Sequence, residues 1–120
     1  MADRRFPLSV YSRGSEPDAR FSLANERTFL AWISAGLALI SVGVGLESLA
    51  LGLQPGFRAA AALVLVLGGI ACPAQAWFGW AQVETALREG RALPFAPLVV
   101  VLPFVVAVAG ILVLLGLVVP

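Results

Sequence analysis

The sequence predicts an all-α integral membrane protein with three transmembrane helices. Of its 120 residues, 60% are hydrophobic and only 12% are charged, too little polar surface to cover a soluble domain of this size. The apolar residues gather in three long stretches separated by short turn signals. The surplus apolar surface therefore faces lipid.

Residues 1–21 read as a polar cytoplasmic tail. They hold Asp3, Arg4, Arg5, Arg13, Glu16, Asp18 and Arg20 among the turn formers Pro7, Gly14, Ser15 and Pro17. They lack the apolar core of a cleavable signal peptide. This composition suits a mobile or surface-lying segment, with Phe6, Leu8, Val10 and Tyr11 available to dip into the interface. Residues 22–120 form the three-helix domain, with spans expected at about 25–51, 57–83 and 95–119.

The first span starts near Ser22 or Asn25, either of which caps a helix. Glu26 falls in its first turn, where the helix dipole favours a carboxylate. Phe29 to Leu46 is uncharged, and at 1.5 Å per residue it covers about 27 Å of a hydrocarbon core about 30 Å thick. Glu47 then lies at the far interface, within reach of Arg58 across a short loop. Gln54-Pro55-Gly56 marks the turn. The second span contains Pro73, which removes one helix hydrogen bond. Trp77 and Trp80 suit interfacial anchors near its end. A polar continuation runs through Leu87 and stops at Gly90, and within it Glu84 and Arg88 have the spacing of an ion pair on a helix surface. The third span begins around Pro94 to Pro97, is bent at Pro103 and carries no charge.

All eight basic residues are arginines. Arg4, Arg5, Arg13, Arg20, Arg27, Arg88 and Arg91 fall on one side of the spans and Arg58 alone on the other. The positive-inside rule then puts the N-terminus in the cytoplasm and the C-terminus outside.

Composition also excludes functions. There is no histidine, which removes the usual general base and the commonest metal ligand. Cys72 has no partner for an internal disulfide and reads as a small packing residue. No metal-ligand cluster, phosphate-binding glycine loop or nucleophile elbow is present. Neither an enzyme nor a cofactor is expected. A net charge of +1 gives no reason to expect nucleic acid as a partner.

The most informative pattern lies on the first span. Ala24, Arg27, Ala31, Ser34, Ala38, Ser41, Gly45 and Ser48 follow one another at alternating spacings of three and four. All but Arg27 are small, and such a stripe lets helix backbones approach closely in lipid. It reads as a packing seam within or between subunits, or as the lining of a narrow pore with Arg27 at its cytoplasmic mouth. Arg27 reads either as a snorkelling side chain at the membrane edge or as an anion-coordinating group. Arg20, Arg88 and Arg91 are available to join it in a basic collar that gathers phosphate or anionic lipid. Gln75 and Gln82 read as hydrogen-bonding groups between helices.

Asn25-Glu26-Arg27-Thr28-Phe29-Leu30-Ala31-Trp32 resembles the opening motif of the domain-of-unknown-function family 202. That family includes YidH-like bacterial inner-membrane proteins and is related to the membrane regions of the yeast VTC polyphosphate polymerase complex. Ala86-Leu87-Arg88-Glu89-Gly90-Arg91-Ala92-Leu93-Pro94 is similar to the stretch before the third span in bacterial members. The resemblance implies a three-helix unit of the inner membrane that oligomerises. It also implies that Arg27, flanked by Asn25 and Glu26, is a cation facing a channel for phosphate or polyphosphate. The functional expectation is a non-enzymatic membrane protein that homo-oligomerises through its first helix, in a structural or partner-subunit role. The alternatives are a small oligomeric channel and an auxiliary subunit of a larger membrane complex. Membrane lipids are expected partners in every case.

Overall fold

A computed structural model describes residues 5–49 and 52–120. Asp3 and Arg4 of the expected tail, and Ala50 and Leu51 at the end of the first expected span, lie outside the described residues. The chain forms a short helix α1 (Leu8–Tyr11) and three long ones, α2 (Ala19–Ser48), α3 (Pro55–Glu89) and α4 (Leu98–Val118). The three long helices are each long and apolar enough to cross a membrane.

Local chemistry sets the helix ends. α2 begins before Ser22 and Asn25 because Asp18 takes the capping position, its Oδ1 accepting the Arg20 backbone N–H at 2.9 Å. The two residues expected as caps therefore sit inside the helix. Gln54 caps α3, accepting the Phe57 N–H at 2.9 Å, and Pro55 fills the first turn, where a missing N–H costs nothing. α3 continues through its polar end and stops at Gly90, whose φ of 66° is the left-handed conformation that closes helices. Pro97 precedes α4, and Pro103 lies within it.

α3 is the centre of the molecule. α2 packs on one side of it and α4 on another, and among the described residues no Cα of α2 comes within 8 Å of one of α4. The reason lies in the side chains of α3. Ala61, Ala62, Gly68, Gly69, Cys72 and Ala76 are all buried, so two neighbouring backbones can approach the same helix. Gly36 and Gly43 of α2 face Gly69 and Ala62, while Val105 of α4 lies over Gly68. Leu46, Leu53, Leu65 and Ala109 complete the core at the end near the α2–α3 loop. There the Gln54 N–H donates to the Gly116 carbonyl at 2.9 Å, tying the end of α4 to the loop.

At 1.5 Å per residue α4 is about 31 Å long, whereas α2 and α3 reach about 45 and 52 Å. The surplus of α2 and α3 projects at the arginine-rich end, within a molecule 66 Å long and 24 × 20 Å across. Residues 5–17 pack against this projection, with Val10 buried against the structure.

Candidate functional site

Among the described residues, the buried polar side chains lie at the arginine-rich end: Asn25 on α2, and Glu84 and Arg88 on α3, all less than a tenth exposed. Asn25 and Ser22 lie on the side of α2 that meets α3, and both reach Glu84. Ser22 donates through Oγ to Glu84 Oε1 at 2.8 Å. The Asn25 carboxamide donates to the Trp80 carbonyl at 3.0 Å and to Glu84 Oε2 at 3.4 Å. The carboxylate is thus satisfied by neutral donors from the neighbouring helix.

Arg88 points elsewhere. Its Nε donates to the Arg13 carbonyl at 2.9 Å and Nη2 to the Tyr11 carbonyl at 3.0 Å. Nη1 lies 3.4 Å from Glu16 Oε2. Among the described residues no ion pair joins Glu84 to Arg88, and the pairing expected from their spacing is replaced by two separate tasks. Glu84 fastens α2 to α3, and Arg88 fastens the N-terminal segment to α3. In the other direction, the Ser15 N–H donates to the Arg88 carbonyl at 3.0 Å. Gly14 passes over that carbonyl with φ of 47°, leaving no room for a Cβ. The expected mobile or surface-lying segment is instead strapped across the end of α3.

Aromatic rings line the same region. Phe6 stacks on Trp77 at 6.1 Å and Trp77 on Trp80 at 5.7 Å, while Tyr11 meets Trp80 at 6.1 Å. The Arg5 guanidinium lies 4.3 Å from the centre of the Tyr11 ring, a cation–π distance. Arg5 also holds Glu16 by two hydrogen bonds of 2.9 and 2.6 Å. That contact keeps the Glu16 carboxyl below the usual carboxylate range, with a smaller contribution from Arg88. The Arg20 side chain and backbone N–H do the same for Asp18. Burial raises the Tyr11 hydroxyl.

Of the expected collar of Arg20, Arg27, Arg88 and Arg91, Arg88 is turned inward onto the Tyr11 and Arg13 carbonyls. Arg20 is exposed and pairs with Asp18 at 2.9 Å. Arg91 is exposed and pairs with Glu89 at 2.7 Å. Arg27 and Glu26 are exposed beside the buried Asn25, and the Arg27 side chain has no hydrogen bond or ion pair among the described residues.

Ala31, Ser34, Ala38, Ser41 and Ser48 are exposed, and Gly45 is half-buried. The buried side of α2 is Asn25, Gly36, Gly43 and Leu46. Gly45 lies nine residues after Gly36, and Arg27 nine before it. That is about two and a half turns, so the small stripe occupies the opposite side of the helix. A Cβ on Gly45 meets nothing within 4 Å. The seam within the subunit therefore runs along a different face of α2 from the stripe. On the far side, Arg58 Nε lies 3.4 Å from Glu47 Oε1.

Residues 20–86 match the family described as Domain of unknown function (DUF202). Over 110 residues the chain is 40% identical to "Inner membrane protein YidH" of Escherichia coli, a match spanning 89% of this chain and 94% of that protein. The protein of the same name in Shigella flexneri matches equally, at 40% identity over the same shares. An uncharacterized protein of Mycobacterium tuberculosis is 40% identical over 83 residues, 68% of each chain. No solved structure shows significant similarity to this chain.

Proposed function

The chain belongs to the DUF202 family, and from that premise we propose a non-enzymatic multi-pass protein of the inner membrane that homo-oligomerises through α2. Its role is structural or that of a membrane partner subunit. The relatives named as inner membrane proteins and the three membrane-length helices support the location. In the sequence, seven arginines fall on one side of the spans and one on the other, which supports a cytoplasmic N-terminus and an external C-terminus.

One observation carries the assembly. The stripe Ala31, Ser34, Ala38, Ser41, Gly45 and Ser48 lies on the side of α2 opposite α3, and a Cβ on Gly45 meets nothing within 4 Å among the described residues. Small residues bring no advantage to a lipid-facing surface, where larger apolar side chains pack equally well. They favour a seam where a second backbone comes close. The serine hydroxyls add hydrogen bonds between helices, worth about 0.6 kcal/mol each.

Mass measurement of the native chain in mild detergent tests this reading, beside Ala38→Leu and Ser41→Leu. The expected result is a discrete oligomer that dissociates in both variants while their helical content stays unchanged. A strictly monomeric native chain ends the proposal.

Arg27 favours a second reading, a narrow channel for phosphate or polyphosphate along the same stripe. It stands at the arginine-rich end of the stripe, exposed and with no partner among the described residues, and guanidinium matches phosphate geometry. Vesicles containing the protein then pass phosphate or short-chain polyphosphate, and Arg27→Ala slows that flux. Flux equal to empty vesicles, or equal in the variant, removes the channel and leaves the seam.

A further inference from the structure

We propose that the cleft between the N-terminal segment and the α3–α4 linker binds the phosphodiester headgroup of a membrane phospholipid. The cleft has a volume of about 580 Å³. Its polar lining consists of Arg13, Arg91, Ser9, Thr85 and Gln82, and Phe95 stands on its apolar side. The sequence gives no sign of this grouping, since Arg13 and Arg91 are 78 positions apart. The strap over α3 brings them together.

Chemistry selects the ligand. Two guanidinium groups offer paired N–H donors in the planar geometry that phosphate oxygens accept. The Ser9 and Thr85 hydroxyls and the Gln82 carboxamide add neutral donors for the remaining oxygens. Arg91 gives Nε and Nη2 to Glu89 Oε1, and both arginine side chains are more than half exposed, so the remaining guanidinium donors stay accessible. Glu89 lies between them, 2.7 Å from Arg91 and 3.7 Å from Arg13. That carboxylate fixes the guanidinium groups and cancels one of the two charges. The net charge of about +1 at the cleft matches a phosphodiester monoanion and offers little to a polyanion.

Position selects the source. The cleft lies where the apolar run of α3 gives way to Glu84 and where the apolar residues leading into α4 begin. This is the depth of the lipid headgroups. Phe95 is exposed there and suits the glycerol backbone and upper acyl chains. No residue of α2 lines the cleft, so the site is independent of whether α2 forms an oligomer seam.

The test uses the full chain in mild detergent, titrated with phosphatidylglycerol, with bound lipid counted by native mass spectrometry. Arg13→Gln and Arg91→Gln each weaken retention about five-fold, the effect of about one cation at an anionic membrane surface. The double variant loses about twenty-five-fold, and Arg58→Gln, at the opposite end of the molecule and outside the cleft, leaves retention unchanged. Arg13→Lys with Arg91→Lys keeps the charge and loses the planar fork, so retention falls between native and double-glutamine values. Inorganic phosphate in large excess does not displace the lipid. Unchanged retention in the double-glutamine variant overturns the proposal, as does an equal loss in Arg58→Gln. If the glutamine pair does not fold, unchanged retention in the lysine pair overturns it. Displacement by inorganic phosphate overturns the lipid as the ligand.

Discussion

Gly36 and Gly69 face each other across the α2–α3 crossing so closely that a Cβ on either lies 2.8 Å from the other's carbonyl oxygen. Real side chains do not tolerate that distance from backbone, so both positions depend on the missing Cβ. Pro73 explains part of the closeness. It has no N–H to give the Gly69 carbonyl four residues earlier, which leaves that oxygen free to face α2. Weak Cα–H···O contacts stabilise such glycine crossings in lipid, each worth about 0.5–1 kcal/mol.

Gly36→Val and Gly69→Val therefore push α2 off α3. Overpacking of this kind costs about 1–3 kcal/mol. Thermal unfolding in detergent, followed by helical signal, reads it as a lowered midpoint for both variants. Gly110→Ala on α4 is the matched control. Its Cβ enters open space, and alanine is the better helix former, so the midpoint holds or rises. A midpoint lowered equally by Gly110→Ala removes the crossing as the cause.

The fold was legible in the sequence at the level of three spans, because length and apolar content alone decide that a helix crosses lipid. Which face of each helix packs was not legible. In a soluble helix the apolar side marks the core, but in a lipid-facing helix both sides are apolar and periodicity loses its contrast. The small stripe of α2 drew attention, yet α3 meets the other face, through Asn25, Gly36, Gly43 and Leu46. A usable signal lay in α3, where Ala61-Ala62, Gly68-Gly69 and Cys72 place small residues on more than one side. The arginine-rich end was legible as a charge cluster but not in its pairing. Arg88 takes backbone carbonyls from Tyr11 and Arg13, and carbonyls carry no mark in a sequence.

The Glu84 carboxylate is buried with Ser22 and Asn25 as its donors. Asn25→Leu with Ser22→Ala strips these donors and leaves a buried acceptor unsatisfied, at a cost of about 1–3 kcal/mol. Adding Glu84→Leu removes the stranded group and recovers most of that loss, the pattern expected when partners are removed together. Unfolding midpoints of the native, double and triple variants check it. A triple variant less stable than the double assigns Glu84 a favourable role independent of α2.

The N-terminal strap depends on Arg88, on the bare backbone of Gly14 and on Glu16. Arg88→Gln removes the donors to Tyr11 and Arg13, and Gly14→Ala places a methyl against the Arg88 carbonyl at a φ that only glycine adopts easily. Each variant raises hydrogen exchange across residues 10–16 and leaves α2 and α4 unchanged. Acid has the same effect through Glu16. Its carboxyl is held below its ordinary value of 4.5, first by the Arg5 hydrogen bonds. Its contribution to the strapped state is therefore complete above that ordinary value and is lost as pH falls through the lowered one. The protection factor across residues 10–16, which corrects exchange for the intrinsic pH dependence of the amide rate, stays constant from neutral pH down to the ordinary carboxyl value of 4.5 and falls at lower pH. Glu16→Gln, which carries no charge to lose, shows fast exchange already at neutral pH and a weaker acid response. An acid response as large in Glu16→Gln as in the native chain assigns the transition to another carboxylate, with Asp18 at the α2 cap the next to replace.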